Sequence, residues 1–127
     1  MGLELYMVGV IVEDMARAVE FYRRLGVDVP EGSEAKGHVE VRMSGLAFFL
    51  STKKVQATWD PAQTEGAGGY RILLEFYLKS RKEVDAKYAE MIGYGYQSHA
   101  APVETRYGMY FSFINDPDGN TILLSAS

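Results

Sequence analysis

Val12-Glu13-Asp14-Met15-Ala16-Arg17-Ala18-Val19-Glu20-Phe21-Tyr22-Arg23-Arg24-Leu25-Gly26 is the stretch that decides how this chain is read. Asp14 stands where a helix N-cap is needed, since its carboxylate can accept a free first-turn N–H. Met15, Ala18, Val19, Tyr22 and Leu25 follow at helical spacing. Gly26 supplies the stop, because glycine takes the left-handed C′ conformation without strain. Upstream, Leu3 to Val12 is apolar and β-branched and reads as a strand. Downstream, His38–Met43 and Leu46–Ser51 read as two strands joined by a tight Ser44-Gly45 turn.

The second half repeats this order. Tyr70 to Lys79 is strand-like, and Ser80-Arg81-Lys82-Glu83 is a capping box in which Ser80 and Glu83 satisfy each other's backbone donors. Val84, Tyr88 and Met91 form the apolar stripe of a second helix, and Gly93 ends it. Tyr94–His99, Tyr107–Ile114 and Thr121–Ser125 read as strands, the last two joined by Asp116-Pro117-Asp118-Gly119-Asn120. Asp14 matches Ser80, Tyr22 matches Tyr88 and Leu25 matches Met91 at one constant offset. The closing hairpins match as well, Gly45–Ser51 with Gly119–Ser125. An α+β fold of two βαβββ modules follows, at about residues 1–52 and 70–127, joined by a linker at 53–69 within a single domain.

The Val12–Gly26 segment resembles the first-helix signature of the vicinal oxygen chelate group, which includes glyoxalases, bleomycin-resistance proteins and extradiol dioxygenases. Tyr107-Gly108-Met109 and Asn115-Asp116-Pro117-Asp118-Gly119-Asn120 resemble its closing signature. These motifs span nearly the whole chain and are specific for the superfamily, not for one activity. The resemblance implies a curled mixed sheet with helices on the convex side, a cavity on the concave side, and a homodimer. A fold that hosts isomerases, dioxygenases and drug-sequestering proteins leaves function to be argued from the site.

By the same resemblance, metal-dependent members place His or Glu on the first and last strands of each module. The matching positions here are Met7 with Leu73, and Phe49 with Leu123. Hard divalent ions take oxygen or imidazole donors, and a thioether is a soft, weak one. No metal and no other cofactor is therefore expected, and the chain is closest in character to the metal-free bleomycin-resistance-like proteins. The only histidines are His38 and His99, and they share no ligand spacing.

Strand alternation sets Arg71, Leu73, Glu75 and Tyr77 on one face, and Thr121, Leu123 and Ser125 on one face. The expected lining is Met7, Phe49, Leu73 and Leu123, with Arg71 and Glu75 as orienting groups. That composition suits a small-molecule pocket, and equally a filled core. Arg71 and Glu75 weigh against a plain core unless they pair. Trp59, the only tryptophan, either closes over a flat ligand or packs the linker. Tyr107 borders the cavity in relatives. Glu75 and Tyr107 are the candidates for acid–base catalysis if the chain is an enzyme.

Bulk properties narrow the classes further. The 127 residues carry a formal charge of −4, with 47% apolar and 24% charged residues. That balance offers no basic footprint for nucleic acid. The absence of cysteine excludes disulfides, thiolate metal sites and cysteine nucleophiles. No apolar run is long enough for a membrane span, and no signal peptide is visible. The expectation is a cytoplasmic protein that sequesters a small hydrophobic or aromatic molecule, such as an antibiotic. A glyoxalase- or dioxygenase-like enzyme is the alternative.

Overall fold

A computed structural model describes residues 7–55, 73–105 and 108–127. The chain divides into two compact units, Met1–Gly66 and Ala67–Ser127.

In the first unit the order is β1 (Met7–Val12), α1 (Met15–Leu25), a 3-10 turn (Ser33–Ala35), β2 (His38–Met43) and β3 (Leu46–Thr52). Asp14 caps α1 as its composition demands, its Oδ1 accepting the Arg17 N–H at 3.2 Å. Gly26 closes the helix at φ 121°, and its N–H and that of Val27 return to the Tyr22 carbonyl. The sheet order is β1-β3-β2, with β1 parallel and β2 antiparallel to β3. Alternation then separates two faces. Val10, Val12, Val39, Val41, Phe48 and Leu50 are buried on one. The Tyr22 ring of α1 lies 5.3 Å from that of Phe48, so this is the face the helix covers.

In the second unit the order is β4 (Leu74–Tyr77), α2 (Arg81–Gly93), β5 (Ser98–Glu104), β6 (Tyr110–Asn115) and β7 (Thr121–Ala126). The sheet order is β4-β7-β6-β5, with β4 parallel to β7 and the other pairs antiparallel. This is a complete βαβββ module. Ile114, Ile122, Leu124 and Ala126 are fully buried on the face toward α2. Asp116 holds the β6–β7 turn, its carboxylate accepting the N–H groups of Asp118 and Asn120 and the Asn120 side-chain amide.

The repeat is visible in the registers. Gly9 faces Phe49 across β1–β3, and Glu75 faces Leu123 across β4–β7. Adding the spacing between Asp14 and Ser80 to Gly9 gives Glu75, and adding that between Gly45 and Gly119 to Phe49 gives Leu123. The second spacing is eight residues longer, and the extra length falls where β5 lies. Among the described residues, the first unit has no strand at that place. Residues 27–37 carry Pro30, Gly32 and Gly37, which suit turns. Arg23 pins them, donating to the carbonyls of Val29 and Pro30 and to Glu34.

Two local expectations are corrected. Tyr94–His99 is not a strand from its start, since the N–H groups of Tyr94, Gly95 and Tyr96 return to carbonyls at the end of α2. Gly95 turns the chain at φ 98°, so β5 begins at Ser98 and contains His99. The capping box is shifted by one residue. Ser80 accepts the Glu83 N–H at 3.2 Å, but Glu83 Oε2 accepts from Lys79, at 2.9 Å, rather than from Ser80. Among the described residues no helix is long and apolar enough to cross a membrane.

Candidate functional site

Each unit leaves one sheet face uncovered by its helix, and the residues of interest lie there. In the first unit this face carries Met7, Gly9 and Ile11 on β1, Ala47, Phe49 and Ser51 on β3, and His38, Glu40 and Arg42 on β2. The Phe49 ring lies across Gly9, where a Cβ would stand only 1.9 Å from its Cζ. Gly9 is therefore required by a close approach, not by its backbone angles. The His38 ring lies 5.0 Å from Phe49, tilted by 35°, and its Nε2 is 3.1 Å from Glu40 Oε2. Ser51 is fully buried, and among the described residues its hydroxyl has no hydrogen-bond partner.

Gly9→Val tests this contact. The ring must leave its seat, and overpacking of this kind costs about 1–3 kcal/mol. Urea unfolding is expected to show that loss, and Phe49→Leu in the same chain is expected to restore most of it by making room for the new methyls. Equal stability of Gly9→Val and the parent would show that the ring is not held there.

The matching face of the second unit carries Glu75 and Tyr77 on β4, Thr121, Leu123 and Ser125 on β7, and Phe111, Phe113 and Asn115 on β6. Leu73 is half-buried just before β4. Ser125 corresponds to Ser51 in the repeat, but here the hydroxyl donates to Glu75 Oε2 at 2.7 Å. The difference follows from the residue diagonal to the serine on the neighbouring parallel strand, which is Glu75 in one unit and Gly9 in the other. Thr121 is not free to orient a ligand, since its hydroxyl donates to Asn115 Oδ1 at 3.0 Å. The Phe111 and Phe113 rings meet edge to face at 6.2 Å, and the His99 ring lies 5.8 Å from Phe113. Reading by alternation missed this aromatic group, because Phe111 and Phe113 join Leu123 and Ser125 only through the β6–β7 register.

Sequence reasoning also singled out Trp59, Arg71 and Tyr107, which lie outside the described residues. Of the others, Met7 and Phe49 share the face of the first unit, and Glu75 and Leu123 that of the second. A separate hollow of about 380 Å³ lies on the solvent side of α1, lined by Ala16, Glu20, Arg23, Arg24 and Glu34. Its charges are consumed internally. Arg23 pairs with Glu34 at 2.7 Å and Arg24 with Glu20 at 3.1 Å. The hydrogen bond from Arg23 holds the Glu34 carboxyl below the usual range. We assign the hollow no role.

Residues 5–124 match the Glyoxalase/Bleomycin resistance protein/Dioxygenase superfamily. The chain belongs to that superfamily. The superfamily fold is equally plain in solved structures. A glyoxalase/bleomycin resistance protein/dioxygenase family enzyme from Burkholderia phytofirmans PsJN aligns at TM-score 0.83 and 21% identity, covering 98% of each chain. A glyoxalase/bleomycin resistance protein from Albidiferax ferrireducens T118 aligns at 0.71 and 26%, covering 97% of this chain and 98% of that one. Lactoylglutathione lyase from Agrobacterium tumefaciens aligns at 0.71 and 19%, covering 97% and 92%. No functionally curated protein matches the chain.

Many superfamily members hold a metal, and the residues at the corresponding positions here do not fit one. Met7, Phe49, Leu73 and Leu123 offer no nitrogen or oxygen donor. The Phe49 ring fills the surface over Gly9. Two carboxylates are laddered to these positions and both are engaged, Glu75 with the Ser125 hydroxyl and Glu40 with His38. Among the described residues, no three His, Asp or Glu side chains are grouped to hold an ion.

Proposed function

We propose that this superfamily member is a metal-independent binding protein that sequesters a small hydrophobic or aromatic molecule, working as a homodimer. The observation that carries the reading is the character of the faces away from the helices. Phe49 packs on Gly9 in one, and Leu123 lies between Glu75 and Phe113 in the other. Apolar and aromatic lining with a few polar groups is how proteins bind flat organic molecules. An antibiotic or a secondary metabolite is the ligand class that fits. Trp59 is the natural reporter.

The test is a panel of hydrophobic antibiotics titrated into the purified protein. A true ligand at one hundred times its Kd stabilises the fold by about 2.7 kcal/mol, which a thermal melt reads easily. A change in tryptophan fluorescence should saturate over the same range. No shift in melting temperature and no fluorescence change across the panel would overturn the reading.

One observation favours a second reading, a glyoxalase- or dioxygenase-like enzyme of the lyase or oxidoreductase kind. Glu75 is exposed on a face it shares with Leu123 and Phe113 and has a hydroxyl to orient it, as a general base would. Metal analysis after purification without chelators separates the two. A stoichiometric transition metal would favour the enzyme and sink the metal-independent assignment of Met7, Phe49, Leu73 and Leu123.

A further inference from the structure

Arg81 opens α2 and reaches across one end of the second sheet. Its Nε donates to the Ser127 carbonyl at 3.1 Å, one Nη to the Gly108 carbonyl at 2.9 Å, and the other Nη to the Glu104 carboxylate. The guanidinium also lies 5.2 Å from the centre of the Tyr110 ring, whose hydroxyl donates to Asp85 at 2.6 Å. One side chain brackets both arms of the β5–β6 hairpin and ties them to the end of β7. Tyr77 brings in β4, its hydroxyl meeting Ser127 Oγ at 2.6 Å. The strand ladders are sparse there. β5 is an edge strand, Pro102 gives it no N–H, and its register with β6 shifts on either side of Ala100. Past the second shift β5 pairs with β6 through Val103 and Glu104, opposite Phe111 and Tyr110. β7 stops opposite Tyr110, at Ala126.

We propose that Arg81 is a latch: it holds the β5–β6 turn and the end of β7 as one unit, and its release frees both together. A lone surface ion pair contributes little, but this guanidinium joins a carboxylate and two carbonyls while stacked on a ring, and such a network fixes its own geometry. The latch also bears on the far side of the sheet. Val103 and Phe111 are the chain neighbours of Glu104 and Tyr110 and point the other way, in one cross-strand row with Ser125 and Tyr77. Val103 is 56% exposed and Tyr77 63%, so the row has open ends. Arg81 is thus a positioning residue for that end of the face, acting from the helix side. The latch does not depend on what the face binds.

Amide hydrogen exchange, read residue by residue by NMR on the full chain, tests this. The N–H groups of Thr105 and Gly108, bonded to the carbonyls of Met109 and Thr105, report the turn. The Leu78 N–H, bonded to the Ser125 carbonyl, reports the end of β7. The Asn115 N–H, bonded to the Gln97 carbonyl at the other end of the hairpin, is the control. Arg81→Gln is expected to speed exchange at Thr105, Gly108 and Leu78 about tenfold and to leave Asn115 unchanged. Arg81→Lys keeps the charge without the fork and should fall between. High salt should speed the three amides in the parent and add nothing in Arg81→Gln.

Unchanged exchange at the three amides in Arg81→Gln overturns the latch. Faster exchange at the turn with Leu78 unchanged, or the reverse, also overturns it, because the two ends would then open separately. Equal acceleration at Asn115 would make Arg81 an ordinary contributor to global stability and no latch. Tyr110→Phe removes the bond to Asp85 and keeps the ring under the guanidinium, so it is expected to leave the three amides as slow as in the parent. Acceleration there to the level of Arg81→Gln would assign the holding to the Asp85 bond and take it from Arg81.

Discussion

Tyr22→Ala is expected to cost about 3–5 kcal/mol, enough to leave much of the protein unfolded at 37 °C. Tyr22 is completely buried, and its ring touches those of Phe21 at 4.9 Å and Phe48 at 5.3 Å. It therefore joins α1 to the central strand of its sheet. The repeat supplies the control. Tyr88 occupies the corresponding place on α2 but is only half-buried, and its hydroxyl meets Ser98 Oγ at 2.6 Å. Tyr88→Ala is expected to cost about 1–2 kcal/mol, since it removes one hydrogen bond and a partly buried ring. Urea unfolding of the two variants measures the difference. Equal costs would mean that the two helices anchor their sheets alike, against the burial. Six residues of α1 are buried and only Val84 and Met91 of α2.

That asymmetry also marks what the sequence could and could not convey. Helix starts were legible because Asp14 and Ser80 are chemically suited to the free N–H groups they accept. The hairpins were legible because Gly45 and Gly119 both need positive φ, 76° and 84°. Order and repeat therefore followed from local chemistry. Contacts that depend on register did not. Nothing near Gly9 in the chain announces that an aromatic ring forty residues on will rest upon it. The parallel β4–β7 ladder that brings Ser125 to Glu75 spans fifty residues. The start of β5 was misread because Tyr94 and Tyr96 have strand propensity, while the carbonyls at the end of α2 claim their N–H groups. The face of the sheet was readable by alternation; which neighbours meet on it was not.

Leu123→Glu probes that face most severely. In metal-dependent relatives an acidic or histidine ligand belongs at this position, so the substitution looks permissible on paper. Here the position is 4% exposed, between Glu75 and Phe113. A carboxylate placed there loses its water and stands directly across the ladder from a second carboxylate, with no cation among the described residues to pair with Glu75. We expect a loss of about 3–5 kcal/mol at pH 7, the range for an uncompensated buried charge. Burial and repulsion both raise the pKa of the new carboxyl in the folded state. The folded chain then binds a proton that the unfolded chain has released, so stability rises as pH falls toward 5, until the unfolded chain takes up the proton as well. Leu123→Gln separates polarity from charge, and it should cost about 1–3 kcal/mol with no such recovery. Leu123→Met, nearly equal in volume, should cost less than about 1.5 kcal/mol. Zinc should not rescue Leu123→Glu, because two carboxylates and a hydroxyl fall short of the donor set a zinc site uses. Zinc-dependent stabilisation of the variant would mean that this face of the second unit keeps a geometry competent for metal, and Leu123 would then stand in a chelating site and not in a binding face.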